Sequence, residues 1–98
     1  MSHAASPRLL VVDDEPDLRT LYELTLLREG YGVDSAGTLE EARAMLAARR
    51  FDVVISDMRL PDGLGLSLLH EMGRQQRPER CIVMTAYGSA ENAVEALK

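Results

Sequence analysis

The chain has 98 residues, 46% of them apolar, which suits a single small domain with a core of its own. Its net charge is −5, from 16 acidic and 11 basic residues, so it lacks the basic surplus typical of a domain that binds DNA directly. The single cysteine, Cys81, excludes an internal disulfide and favours a reducing compartment, and no apolar run is long enough to span a membrane.

Residues 1–7 lack the apolar stretch of a signal peptide, so we expect a flexible polar lead-in before a cytoplasmic domain at 8–98. The first apolar run, Leu9 to Val12, is continuous and β-branched at its end, which is typical of a strand buried on both faces. Pro16 then suits a helix start, and Gly30 suits its end. The same patterns predict further strands at about 32–36, 51–56 and 81–84, with helices at about 39–50 and 66–77 and a last helix after Ser89.

Strands and helices therefore alternate along the whole chain. Such alternation implies an α/β domain in which helices cover both faces of a parallel sheet. In these sheets the functional residues sit outside the carboxyl ends of the strands. Two helices carry finer expectations: Thr38 and Glu41 form a capping-box pattern, and the first helix has an apolar face at Leu18, Leu21, Tyr22 and Thr25.

Polar residues that can do chemistry follow three of the predicted strands. Asp13 and Asp14 follow the first strand, Asp57 the third and Thr85 the fourth. If the first and third strands are neighbours, three carboxylates converge and repel one another. A hard divalent cation such as Mg²⁺ would relieve that repulsion, and a carboxylate beside it can attack phosphorus to give an aspartyl phosphate.

Each of these residues also has an ordinary structural interpretation. An Asp pair after a strand often only caps the next helix, and Asp57 precedes the turn-like sequence Pro61-Asp62-Gly63. Thr85 alone carries no information. The functional interpretation rests on the joint placement of these residues at the ends of different buried strands.

Three segments at the predicted strand ends form motifs. They are Val11-Val12-Asp13-Asp14-Glu15-Pro16, the segment 56–63 with the sequence Ser-Asp-Met-Arg-Leu-Pro-Asp-Gly, and the segment 84–89 with the sequence Met-Thr-Ala-Tyr-Gly-Ser. Together they resemble the receiver domains of bacterial two-component response regulators, in which they correspond to the acidic-pair motif, the phospho-acceptor loop and the switch-threonine segment. The motifs occur in the family's order and spacing from about Arg8 to Lys98.

The resemblance implies a role for each matching position. Asp57 would be the phosphorylated residue, and Asp14 would bind Mg²⁺ directly while Asp13 acts mainly through water. The backbone carbonyl of Arg59 would be a further metal ligand, and Thr85 would bind the phosphoryl group and move on activation. Ala86 would leave room for that movement, and the side chains of Arg59 and Tyr87 would tune autodephosphorylation.

The resemblance also implies a flavodoxin-like sandwich with strand order 2-1-3-4. The family's site lysine follows a fifth strand, and Lys98 does not match it, so we expect a receiver without its fifth strand, fifth helix and site lysine. The fourth strand would then have an open edge, which predicts a homodimer or a domain-swapped oligomer.

The function predicted from these observations is that of a signalling switch rather than an enzyme. A sensor histidine kinase would phosphorylate Asp57, and an output domain of the same regulator would respond. The motifs look most like receivers of sigma-54-dependent transcription activators, with type IV pilus regulators the most similar. One alternative is a phosphatase of the haloacid-dehalogenase type. Those enzymes have one residue between their two aspartates, whereas Asp13 and Asp14 are adjacent. The other alternative is a receiver-like binding module that is not phosphorylated.

Overall fold

Parallel strands form a central sheet with helices on both of its faces. The computed structural model describes residues 7–84, so the predicted helix after Ser89 lies outside the described residues. The elements, in chain order, are β1 (Arg8–Val12), α1 (Pro16–Arg28), β2 (Gly32–Ala36), α2 (Leu39–Ala48), β3 (Val53–Asp57), β4 (Arg59–Leu60), β5 (Gly63–Leu64), α3 (Gly65–Arg74) and β6 (Arg80–Met84).

The main sheet has the strand order β2-β1-β3-β6, and all its neighbouring strands are parallel. This is the flavodoxin-like order predicted from the sequence, with β6 as the fourth strand of the sheet. The short strands β4 and β5 form a separate antiparallel hairpin around the predicted turn. Within residues 7–84, no helix has both the length and the apolar character needed to cross a bilayer.

The two faces of the sheet pack into separate apolar clusters because successive strand residues point to opposite sides. One cluster joins the strands to α1 through Tyr22 and Leu26. The other joins them to α2 and α3, where Leu46 and Leu68 are among the buried residues. β1 and β3 contribute to both clusters, which explains why their sequences are continuous apolar runs rather than alternating ones.

The apolar face of α1 differs from the sequence prediction. Tyr22 and Thr25 are buried together with Leu26, but Leu18 is 44% exposed and Leu21 is 47% exposed. The prediction was wrong for these two leucines. Their spacing fits an apolar helix face, but the face that packs on the sheet is a neighbouring one, which contains Leu26.

The start of α2 is held by two sets of side-chain hydrogen bonds. The Thr38 hydroxyl accepts a hydrogen bond from the Glu41 N–H at 3.1 Å, as the capping pattern predicted. The Glu41 carboxylate reaches one residue further back than expected and accepts from the Gly37 N–H at 2.8 Å. The carboxylate of Asp62, in the β4–β5 turn, accepts from the N–H groups of Leu39 and Glu40. This second cap fixes the hairpin against α2.

A buried ion pair lies at the amino-terminal ends of β3 and β6. Arg77 donates two hydrogen bonds to Glu79, at 2.9 and 2.6 Å, and the Glu79 side chain is 0% exposed. The Glu79 carboxylate also accepts the N–H of Phe51 at 3.1 Å. Burial raises the pKa of Glu79, but these hydrogen bonds outweigh it, so the pKa lies below its usual value of 4.5.

We predict that Arg77→Met lowers the free energy of unfolding by about 3 kcal/mol at neutral pH, because it leaves the Glu79 carboxylate buried without its cation. Urea unfolding would measure the loss. Arg43→Met is the matched control, because Arg43 makes the same two-bonded contact with Glu71 but is 46% exposed on the surface. The control should cost less than about 1 kcal/mol.

The same variant should show a defined pH dependence. A carboxyl whose folded pKa is depressed contributes stability above its unfolded value of 4.5 and loses it as pH falls through the folded pKa. The difference between wild type and Arg77→Met should therefore be full at neutral pH and shrink as the pH falls towards the depressed folded pKa of Glu79 in wild type, because a protonated carboxyl no longer needs the cation. A difference of constant size across this range would show that the ion pair is not its cause.

Candidate metal centre

Three carboxylates meet at the carboxyl ends of β1 and β3. Val12 is the register partner of Ser56, so the residues that follow them, Asp13 and Asp57, leave neighbouring strands side by side. One carboxylate oxygen from each of Asp13, Asp14 and Asp57 lies within 4.8 Å of the others. The condition on which the sequence prediction depended, adjacency of the first and third strands, is therefore met.

Asp13 is buried and is held at three points. Its N–H donates to the carbonyl of Ala36 at 3.0 Å, which extends the β1–β2 pairing by one residue. Its Oδ1 accepts from the N–H of Glu15 at 2.9 Å, and its carbonyl accepts from Nη1 of Arg19 at 2.8 Å. The Asp13 carboxylate therefore has a fixed orientation, whereas Asp14 is exposed to solvent.

Asp57 is half-buried at the end of β3. Its Oδ1 accepts from the N–H of Met58 at 2.8 Å, and the same N–H lies 3.0 Å from the carbonyl of Met84. The Ser56 hydroxyl donates to the Asp57 carbonyl at 2.9 Å. These contacts fix one carboxylate oxygen and the backbone, while Oδ2 accepts no hydrogen bond from residues 7–84.

Gly65 allows the backbone of α3 to approach the backbone of Asp57 closely. A Cβ at this position would overlap the carbonyl oxygen of Asp57 and lie 2.8 Å from the Ser56 hydroxyl oxygen. The Gly65 N–H also donates to the Met58 carbonyl at 2.8 Å. Glycine is thus required because the end of β3 and the start of α3 are in direct backbone contact.

The site has a strongly negative potential. Burial raises the pKa of Asp13, the carboxylates of Asp57 and Asp14 raise it further, and the hydrogen bond from Glu15 only partly opposes them. Burial also raises the pKa of the Tyr22 hydroxyl, with further contributions from Asp13 and Asp57. Three oxygen ligands in such a field form a donor set that suits a hard divalent cation.

The predicted site residues are placed as follows. The structure brings Asp13, Asp14 and Asp57 together. Arg59 lies two residues beyond Asp57, in β4, and its role as a carbonyl ligand stays a prediction. Thr85, Ala86, Tyr87 and Lys98 lie outside the described residues. Met84, which precedes Thr85, is the register partner of Asp57.

Sequence reasoning missed two residues that contact the site, Arg19 and Gly65, and it missed the capping role of Asp62. Asp62 was assigned only to a turn, and the fit of its carboxylate to α2 could not be recognised without the tertiary structure. Gly65 was given no role from the sequence. A glycine at the start of an amphipathic helix and close to a strand end was the signal that could have indicated close backbone contact.

A doubly wound parallel sheet with an acidic cluster at adjacent strand ends defines the class of receiver modules. Residues 9–98 match the response regulator receiver domain family, so the chain belongs to this family rather than to the haloacid-dehalogenase phosphatases. It is a receiver domain of two-component response regulators, and membership of this family implies that the domain accepts a phosphoryl group.

Similar proteins include transcriptional regulators. The chain is 48% identical over 92 residues to response regulator protein PilR of Pseudomonas aeruginosa, covering 93% of this chain and 20% of the relative. It is 40% identical over 96 residues to transcriptional regulatory protein GlrR of Escherichia coli, covering 98% of this chain and 21% of the relative. The chain thus spans about a fifth of these relatives, which are sigma-54-dependent regulators, and the predicted resemblance to that group is confirmed.

Solved structures are similar over most of the chain. Response regulator protein TrrA of Thermotoga maritima, in complex with Mg²⁺ and BeF, has a TM-score of 0.78 and 38% identity, covering 84% of this chain and 71% of that chain. The signal receiver domain of a Luxo repressor protein from Vibrio parahaemolyticus has a TM-score of 0.78 and 29% identity, covering 94% of this chain and 71% of that chain.

The contact between Gly65 and Asp57 yields a stability prediction. Gly65→Ala should lower the free energy of unfolding by about 2 kcal/mol, because the added methyl group must displace backbone rather than a mobile side chain. Gly73→Ala is the control in the same helix, with nothing within 4 Å of the new Cβ. It should raise stability by about 0.5–1 kcal/mol through helix propensity. Urea unfolding of both variants tests this, and equal effects would contradict it.

Proposed function

We propose that Asp57 accepts a phosphoryl group from a sensor histidine kinase, with Mg²⁺ held by Asp13, Asp14, Asp57 and the backbone carbonyl of Arg59. The observation that carries the proposal is the convergence of three carboxylates within 4.8 Å at neighbouring strand ends. The comparison with TrrA supports it, because that receiver was solved with Mg²⁺ and BeF, in which the fluoride-bearing beryllium stands in for phosphorus.

The geometry favours Asp57 over its neighbours as the nucleophile. Asp13 is buried and its carboxylate is oriented by the Glu15 N–H, so it suits a fixed position beside the metal. Asp57 is half-buried and keeps Oδ2 free of hydrogen bonds from residues 7–84, while Oδ1 is held by Met58. In the transfer, Oδ2 of Asp57 forms a bond to phosphorus, and the bond from phosphorus to the donor breaks with its electron pair leaving on the donor.

Charge explains why the cation belongs in the proposal. An incoming phosphoryl group adds negative charge to a site that already holds three carboxylates. When bound, Mg²⁺ supplies positive charge that offsets this repulsion and orients a phosphoryl oxygen. Thr85 would donate its hydroxyl to another phosphoryl oxygen, and the side chains of Arg59 and Tyr87 would set the lifetime of the acyl phosphate.

The phosphorylated domain would act as a switch and not as an enzyme with a separate substrate. An output domain of the same regulator would respond by activating transcription, which is supported by the transcriptional regulators among the relatives.

The proposal also covers compartment and oligomeric state. Cytoplasmic residence is supported by the family and by the free thiol of Cys81. A homodimer or domain-swapped oligomer is proposed because the outer edge of β6 pairs with no strand among residues 7–84.

The test is phosphorylation of the whole chain by a small acyl phosphate in the presence of Mg²⁺, followed by mass spectrometry. Wild type should gain the mass of one phosphoryl group, and Asp57→Asn should gain none because its amide is not nucleophilic. Asp62→Asn is the matched control, since Asp62 lies in the same loop but caps α2, and it should be modified like wild type.

Two outcomes would contradict the proposal. If the folded wild-type chain takes up no phosphoryl group with Mg²⁺ present, the domain is a receiver-like binding module. If Asp57→Asn is modified as fully as wild type, the acceptor is a different residue.

A further inference from the structure

We propose that Arg19 is a positioning residue for the metal centre, and that Gly37 is a glycine because the Arg19 side chain occupies the space beside it. This role extends the proposed function and rests on it for one of the two measurements below, the affinity for Mg²⁺. It concerns the hydrogen bond from Arg19 to Asp13, which neither the family motifs nor the sequence pattern indicated.

Arg19 spans the acidic loop between β1 and α1. It lies in the first turns of α1 and is half-buried, and its Nη1 donates to the backbone carbonyl of Asp13 at 2.8 Å. That carbonyl belongs to the peptide group that joins Asp13 to Asp14. The contact therefore acts on the orientation of both acidic residues without touching either carboxylate.

Gly37 forms the other side of the space that the guanidinium occupies. It follows Ala36, whose carbonyl accepts the Asp13 N–H. A Cβ on Gly37 would lie 2.7 Å from Nη1 of Arg19 and 3.2 Å from Oε1 of Glu41. Since the backbone of Gly37 is not in the left-handed region, alanine meets no conformational strain there, and the main consequence is displacement of a flexible side chain.

The residues that follow β1 and β2 thus lie against one guanidinium, and Gly37 is in turn hydrogen-bonded to the start of α2. The Gly37 N–H donates to Oε1 of Glu41 at 2.8 Å, so the glycine is itself fixed to α2. Displacement of the Arg19 side chain would free the Asp13 carbonyl while the strand pairing and the cap of α2 stay in place.

Charge and position predict opposite effects on Mg²⁺ affinity. Removal of a positive charge near a cation site strengthens cation binding by electrostatics alone. Loss of a contact that orients metal ligands weakens binding, typically by tenfold or more. The sign of the change therefore shows which role Arg19 has.

The experiment is a double-mutant cycle of Arg19→Met and Gly37→Ala in the full chain. Isothermal titration with Mg²⁺ measures affinity, and NMR measures exchange of the Glu15 N–H, which donates to Asp13, in metal-free protein. Arg28→Met is the matched control, because it removes the same charge from the opposite end of the same helix. Thermal unfolding checks that every variant is folded.

We expect each single substitution to weaken Mg²⁺ binding about tenfold and to speed exchange of the Glu15 N–H. Gly37→Ala should add little in the Arg19→Met background, since both act through one contact. Arg28→Met should stay within about twofold of wild type.

Unchanged or tighter Mg²⁺ binding in Arg19→Met, or additive effects of the two substitutions, would overturn the inference. If wild type itself binds no Mg²⁺, the proposed function fails at its metal step, and the exchange rates alone decide the inference. Non-additive acceleration of Glu15 exchange would then support a positioning role, and unchanged exchange would refute it.

Discussion

The register between β1 and β3 is the constraint on which the rest of the site depends. Because Val12 pairs with Ser56 in parallel strands, Asp13 and Asp57 must leave the sheet side by side. With one carboxylate oxygen of each residue within 4.8 Å of the other, two unit charges repel by about 3.5 kcal/mol at an effective dielectric constant of about 20. The raised pKa of Asp13, caused first by burial and then by Asp57 and Asp14, is consistent with this repulsion. Among residues 7–84 no cationic side chain forms an ion pair with these carboxylates.

The elements around the strand ends are arranged to keep these charges in place. Arg19 and the Glu15 N–H hold Asp13, while Met58 and the close approach of Gly65 hold Asp57. Asp62 fixes the hairpin after β3 to the start of α2, although it lies outside the acidic cluster. The buried pair of Arg77 and Glu79 lies at the opposite ends of the strands, beside the residues that precede β3 and β6. The ion pair and the acidic cluster are thus separated by the length of the sheet.

The strands and the members of the acidic cluster could be predicted from the sequence because buried parallel strands leave a clear pattern. The apolar runs located β1 and β3, and the polar residues that follow them identified Asp13, Asp14 and Asp57. The exposed leucines Leu18 and Leu21 were misassigned because spacing alone does not fix the rotation of a helix. Arg19 and Asp62 could not be assigned because their hydrogen bonds join different elements, and no local pattern identifies such partners. Gly65 was missed although its place close to a strand end was a signal.

The metal-free domain is expected to be destabilised by its own carboxylates, and a divalent cation is expected to remove this cost. The free energy of unfolding of wild type and Asp14→Asn, each measured with and without Mg²⁺, tests this. The variant should be the more stable protein without Mg²⁺, and Mg²⁺ should stabilise wild type increasingly with concentration but stabilise the variant much less. Equal stabilisation of both proteins by Mg²⁺, or of neither, would refute this expectation.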